Sequence, residues 1–353
     1  MADLHSVNFI DRRNIPDSRQ SLVDIQPKGF FIRHPPKPHQ LEDNLTPETC
    51  LFQTIHMGAA VVDSSRWTLA VDGLVERPFS INLDQLRQMP STSVISFHEC
   101  YGSPLVAPTK NVWRIGNVVW TGVPLKDLLA IARPDTRGSF VWSDGLDSGT
   151  FAGVSADRYQ KDLPMEKALS PEVLVAYAMN GQPLGKERGG PVRLVVPGWF
   201  GTNSTKWLCR LSVQEGRSPG PFTTVFYNEL DPGDVAGVRK RPVWKVEPNS
   251  IIVRPCPGGV FCPGYVEVWG RAWGEEEIVR VDVSIDGQTW IEARVAPREQ
   301  FEWQFFCLQL LIEQSGRYTI QARATDKTGD RQPLSQRRNH VPSVEIEIQD
   351  GRG

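Results

Sequence analysis

No apolar run in the chain approaches the ~20 residues that span a bilayer; the longest stretches, such as residues 193–200, are far shorter and contain an arginine and a proline. A membrane span is therefore not expected. The first residues, MADLHSVNFIDRRNIPDSRQ, have no apolar core behind a basic patch and do not read as a secretory signal. That pattern places the chain in the cytoplasm, or in the periplasm if an export signal has been removed. Charge of one sign is also lacking: 39 Lys and Arg against 41 Asp and Glu give 39 − 41 = −2. No global field then draws the chain to nucleic acid or anionic lipid. Cysteine is sparse, with six at positions 50, 100, 209, 256, 262 and 307 and no CxxC pair, so most are expected to be buried thiols. There is no HExxH helix, no GxSxG elbow, no Walker loop, no GxGxxG before a helix and no internal repeat. The absence of CxxCH argues against a covalently attached haem, and none is expected.

What is present is enough for two domains. The 353 residues are 40% apolar, and 30 glycines with 28 prolines favour strands and turns over a helical bundle. Residues 1–45, with the run His34-Pro35-Pro36-Lys37-Pro38, read as an extended segment packed on the first domain. Strands are expected over 67–73, 79–81, 94–97, 140–144 and 191–197. Helices are expected at 82–89, capped by Asn82, and at 124–132, opened by Pro124. Ser170, Pro171 and Glu172 look like a cap, a first-turn proline and an early acid, so 173–179 is expected to be helical until Asn180-Gly181 stops it. Beyond about 246 the texture becomes short strands at 266–272, 278–285, 290–295, 303–310, 318–326 and 344–348, with a turn at Asp286-Gly287. The expected architecture is α+β: a mixed catalytic domain over 46–246 followed by an immunoglobulin-like β-sandwich over 247–353.

The polar residues that stand out are Arg33, Cys100, Arg193 and Lys206, three cations and a thiol in apolar or glycine-rich surroundings. Cys100 falls where a strand ends in His98-Glu99-Cys100-Tyr101-Gly102. It reads either as a core residue or as a thiolate ligand for a soft or high-valent metal. Arg193 and Lys206 read either as packing and surface pairing or as a fork and a point charge on one phosphate, with the loop 198–205 between them lending backbone N–H groups.

Several motifs in one order resemble the sulfite oxidase family of molybdopterin-dependent oxidoreductases. They are Phe30-Phe31-Ile32-Arg33, the strand into Cys100, WRIG at 113–116, WTGVPL at 120–125, LVAYAMNGQPL at 174–184, GPVRLVVPG at 190–198 and STKWL at 204–208. GRAW at 270–273 and VDVSIDG at 281–287 resemble the family's second domain. The resemblance implies a molybdopterin, a pyranopterin dithiolene carrying one molybdenum, with Cys100 as the protein thiolate and metal ligand. It implies cofactor contacts from Arg193, Ser204, Lys206 and His34, the last standing where the family usually has asparagine. It implies an oxyanion pocket lined by Arg33 and Trp113 and approached by Arg294 from the second domain.

Two departures accompany it. Cys100 is followed by Tyr101, Gly102, Ser103, Pro104 and Leu105 where the family pattern has an asparagine and two arginines, and the family's active-site tyrosine aligns near Pro219, leaving Tyr227 as the nearest tyrosine from that loop. The implied activity is oxidation of sulfite, a small anionic substrate, to sulfate. Electrons would pass to an external acceptor such as a cytochrome, and the second domain implies a homodimer. Reduction of a sulfoxide or of nitrate at the same metal, and a cofactor-binding relative without turnover, are the alternatives.

Overall fold

A computed structural model describes residues 7–15, 17–102, 113–231, 238–334 and 337–350. Ser103, Pro104 and Leu105, which follow the Cys100 turn in sequence, lie outside the described residues. The chain divides into two compact units, one of residues 1–33, 53–94 and 119–244 and the other of residues 34–52, 95–118 and 245–353. Among the described residues no helix is long and apolar enough to cross a membrane.

The first unit is built on a six-stranded sheet in the order Asn8–Phe9, Phe79–Asn82, Thr68–Gly73, Leu208–Gln214, Phe140–Gly145 and Gln160–Pro164. Leu208–Gln214 runs parallel to Thr68–Gly73, and the other neighbours are antiparallel. Trp67, Leu69, Val71, Phe79 and Ile81 are fully buried on this sheet, and Trp67 donates its indole N–H to the Leu208 carbonyl at 2.9 Å. The expected helices form as Leu83–Gln88 and Leu125–Ala132. Asn82 caps the first by accepting the Gln85 amide, while the Gln85 side chain accepts the Asn82 amide, so two orphan donors are satisfied together.

The segment expected to be helical after Ser170 is instead a strand, Leu174–Met179. Its residues 174–176 are buried on both faces, and it is flanked by Arg193–Val195 on one side and by residues 120–124 on the other. A continuous apolar run of six residues satisfies a central strand as well as a helix, and burial between two partners decides for the strand. Asn180 and Gly181 both adopt positive φ and turn the chain into Gln182–Pro183, so they form a hairpin where a helix stop was expected.

In the second unit eight strands join in one hydrogen-bonded order: Asn249–Arg254, Gly264–Trp273, Gln304–Ile312, Ile291–Val295, Ile278–Ser284, Gly316–Asp326, Ser343–Ile348 and Gly259–Phe261. The first and last of these were not among the expected strands. Alternate residues such as Val266 and Val268, Ile320, Ala322 and Ala324, and Val344, Ile346 and Ile348 are buried in a common core with Phe306. The Asp286 carboxylate accepts the amides of Gln288 and Thr289, which fixes the expected turn and holds that carboxyl down at about 2. The six cysteines are all free, but only Cys209 is buried and Cys262 is exposed, which corrects the expectation of mostly buried thiols.

Candidate active site

The first unit gathers Arg193, Ser204 and Lys206. Arg193 opens the strand Arg193–Val195, and the loop beyond it folds back so that the Leu194 amide donates to the Thr205 carbonyl at 2.8 Å. The loop is clamped by Asn203, whose side-chain amide donates to the carbonyls of Phe200 and Val243 at 3.0 and 3.1 Å. Arg193 is buried, lies 4.8 Å from the Trp120 ring centre and donates to the carbonyls of Arg188 and Ser204, both at 3.1 Å. Among the described residues no carboxylate pairs with it. Burial, and then the neighbouring Arg188 charge, pull it down to about 9. The Ser204 hydroxyl accepts the Val196 amide at 3.1 Å.

Lys206 donates to the Thr54 carbonyl at 2.9 Å and lies over Trp207. Its stem passes so close to Gly189 that a Cβ there would sit 2.5 Å from the Lys206 Cβ; glycine, at φ +86°, is required.

Two further polar groups in this unit were not singled out from sequence. Asp147 is buried, its Oδ1 has no hydrogen-bond partner, and burial pushes it up to about 7 against the pull of Lys206. His56, half-buried, shares a hydrogen bond through Nε2 with the Tyr227 hydroxyl. Burial, followed by the positive fields of Lys206 and Lys161, depresses its ring to about 3. Arg33 ends the strand Phe31–Arg33, opposite Gln53, and its guanidinium is 3.9 Å from the Glu187 carboxylate.

The second unit carries Cys100, which directly follows the strand Thr92–Glu99. Its amide donates to the Arg114 carbonyl at 3.0 Å, and Arg114 Nη1 approaches the half-buried sulfur to 3.7 Å. Trp113 is buried edge-on to Trp273, ring centres 6.2 Å apart. Arg338 donates Nε to the Tyr101 carbonyl at 3.1 Å and Nη2 to the Cys100 carbonyl at 3.4 Å and to Glu99 at 3.0 Å. Glu99 is fully buried and also accepts the Trp273 indole N–H at 2.8 Å; burial raises its carboxyl although Arg338 opposes the rise. His34 and Arg294 are both exposed, the latter on the strand Ile291–Val295.

Among the described residues Arg114 approaches the thiol and Arg338 holds the backbone beside it, and neither was read from sequence. Arg114 stood inside a quoted motif, next to Trp113, but nothing local told which of its neighbours it would touch. Arg338 is 238 residues from Cys100 and left no local trace.

These donors fit a molybdopterin. Arg193 is a buried cation whose acceptors are backbone carbonyls, an arrangement that an anionic group such as a phosphate completes. Asp147 is a buried acceptor with an oxygen to spare. Among the described residues no three His, Cys, Asp or Glu side chains cluster as a metal site, so a metal held through Cys100 would bring its other ligands with it.

Comparison with known proteins agrees. The family model "Oxidoreductase molybdopterin binding domain" matches residues 56–222, and "Mo-co oxidoreductase dimerisation domain" matches residues 240–345. The chain is 34% identical to sulfite oxidase of Gallus gallus over 332 residues, covering 86% of this chain and 72% of that protein. It is 27% identical to an NADH nitrate reductase of Solanum lycopersicum, covering 89% of this chain and 39% of that one. The solved structure of the sulfane dehydrogenase SoxCD from Paracoccus pantotrophus superposes with a TM-score of 0.78 at 29% identity, covering 93% of this chain and 88% of that chain. The chain spans 57–62% of the length of its mammalian sulfite oxidase relatives. With these matches on both units' sequences, the chain belongs to the sulfite oxidase family of molybdopterin-dependent oxidoreductases.

Proposed function

We propose that the chain oxidises sulfite to sulfate by molybdenum-dependent oxygen-atom transfer and passes the electrons to an external acceptor such as a cytochrome. The observation that carries this reading is the Cys100 thiol at a strand end, beside the Arg114 guanidinium, in a chain that is 34% identical to a sulfite oxidase. Sulfite and water give sulfate, two protons and two electrons, and the bound molybdenum cofactor supplies that two-electron chemistry.

The chain's residues divide the remaining work. Cys100 would give the metal its protein sulfur. Arg193, Ser204 and Lys206 would hold the cofactor's anionic end, Asp147 would accept from the N–H edge of its pterin, and the exposed His34 would contact it from solvent. Arg33 would orient the anionic substrate, Trp113 would wall the pocket, and Arg294 would draw the anion from the second domain. Arg114 keeps positive charge beside the sulfur, where a thiolate and an incoming anion both need it. The alternating buried positions of the second unit are compatible with the packing of an immunoglobulin-like sandwich, and the dimerisation-domain match supports a homodimer.

Metal analysis joined to a substrate panel tests the reading. The expected result is about one molybdenum per chain, turnover of sulfite with a synthetic electron acceptor, and loss of one sulfur ligand by X-ray absorption in Cys100→Ser. Tight zinc with no pterin, or a loaded metal with no bond to Cys100, overturns it. The likeness to a nitrate reductase supports a second reading, nitrate reduction at the same centre, and turnover of nitrate in place of sulfite would select it.

A further inference from the structure

The Cys100 sulfur sits just past the end of a strand, where the ladder no longer fixes the chain. The strand Thr92–Glu99 stops one residue before it, and Tyr101 and Gly102 form a turn. Two peptide planes then decide where the Cα–Cβ bond of Cys100 points, because each plane is rigid and the residue between them has only φ and ψ to adjust. The plane before Cys100 is held by its amide, which donates to the Arg114 carbonyl at 3.0 Å. The plane after it is held by Arg338. Nη2 of that arginine donates to the Cys100 carbonyl at 3.4 Å, and Nε donates to the Tyr101 carbonyl at 3.1 Å. Its guanidinium also lies 4.8 Å from the Tyr101 ring centre. With both planes held, χ1 is the soft torsion left to the sulfur.

What holds Arg338 is itself buried. Nη2 also reaches Glu99 at 3.0 Å, and Glu99 takes the Trp273 indole N–H at 2.8 Å and the Asn249 side-chain amide at 3.3 Å. Asn339, next in the chain, donates its side-chain amide to the Pro248 carbonyl at 3.0 Å, and its own carbonyl accepts the Gln332 side-chain amide at 3.1 Å. The same Gln332 amide reaches Asn249 Oδ1 at 3.2 Å, while Gln332 Oε1 accepts the Ala324 amide and the Ser250 hydroxyl, both at 2.8 Å. A ring of contacts thus runs from Glu99 through Asn249, Gln332 and Asn339 back to Arg338. Asn249, Gln332 and Asn339 are all buried, so water does not compete for these bonds.

Glu99 pairs with the guanidinium, so the contribution of Arg338 at the thiol is direction more than charge. A planar fork donates to several oxygens along fixed directions, which an ammonium on a flexible stem does not do. We propose that Arg338 is a positioning residue for Cys100: its fork fixes the peptide planes that follow the thiol and so aims the sulfur for its bond to the metal. The inference rests on the reading of Cys100 as the metal's protein ligand. It gives two arginines different work, Arg114 supplying charge beside the sulfur and Arg338 holding the backbone that carries it.

The test compares three holoenzymes: the wild type, Arg338→Lys, and the double change Glu99→Gln with Arg338→Met. Lysine keeps a cation for Glu99 and loses the fork. The double change loses the fork and leaves no lone buried charge. X-ray absorption at molybdenum reads the sulfur, urea unfolding reads the fold, and sulfite kinetics read the consequence. Both variants are expected to retain molybdenum, to show the protein sulfur at a longer or more widely spread distance, and to lose about tenfold or more in kcat, with KM within about twofold. The double change is the sharper arm, because it should regain stability without regaining the sulfur position. An arginine with a merely structural role gives the opposite pattern, wild-type sulfur distance and kcat wherever stability is regained, and that result overturns the proposal. A raised KM with unchanged kcat also overturns it, since that marks a charge that captures the anion. The sulfur readout needs no turnover, so it stands even where sulfite is not the substrate. A wild type whose metal lacks a bond to Cys100 sinks the reading beneath this inference; a wild type that has the bond, with variants identical to it, sinks the positioning role alone.

Discussion

The Arg114 guanidinium lies 3.7 Å from the Cys100 sulfur, while the carbonyl of the same arginine accepts the Cys100 amide at 3.0 Å. One residue thus fixes the backbone of the thiol and sets positive charge beside it. The family pattern places its arginines just after the cysteine; among the described residues here, Arg114, just before the strand Ile115–Pro124, sets charge beside the sulfur.

Arg114→Met should keep the backbone contact and remove the charge. The expected outcome is a loss of about tenfold or more in kcat/KM for an anionic substrate, with molybdenum content little changed. Steady-state kinetics on metal-quantified protein checks it, and unchanged kinetics would place the charge outside the substrate's reach.

Glu99 and Arg338 form a buried pair, 3.0 Å apart, on the residue before the thiol. Removing one partner strands a charge, so Arg338→Met should cost about 3–5 kcal/mol of stability. The double change Glu99→Gln with Arg338→Met should recover much of that loss, because no lone charge is left behind. Urea unfolding of the four proteins measures the coupling, and additive losses would show that the two side chains act separately.

Two groups in the first unit give stability opposite dependences on pH. His56 is depressed from 6.5 to about 3, so its contribution is complete above 6.5 and is lost as pH falls toward 3. Asp147 is raised from 3.8 to about 7, so its contribution is complete below 3.8 and is lost as pH rises through 7. Asp147→Asn should therefore gain on the wild type more at pH 8 than at pH 4, and His56→Gln should flatten the acid side. Urea midpoints across that range test both signs. The same depression predicts that the His56 ring stays neutral at pH 5, which its nitrogen chemical shifts report.

Much of the local structure was written in short stretches of chain. The Asn82 cap, the Pro124 helix start, the Asp286-Gly287 turn and the strand running into Cys100 each depend on a few adjacent residues, and each formed as expected. The family motifs are local strings of the same kind, which is why the cofactor class was legible before any fold was known.

Tertiary structure decided the rest. Residues 173–179 carry a pattern that suits either helix or strand, and only burial between two neighbouring strands made them a strand. The partners of Cys100 and of the buried Lys161 follow the same logic. Arg338 reaches Cys100 across 238 residues, and Lys161 meets Phe222 across 61. Sequence alone determined where the capped helices, the turns and the strand into Cys100 begin, because dihedral preferences, caps and turns act over a few residues. Which charge faces which partner was left to packing, since a desolvated lysine or arginine is stabilised only by groups that the chain brings together from far apart.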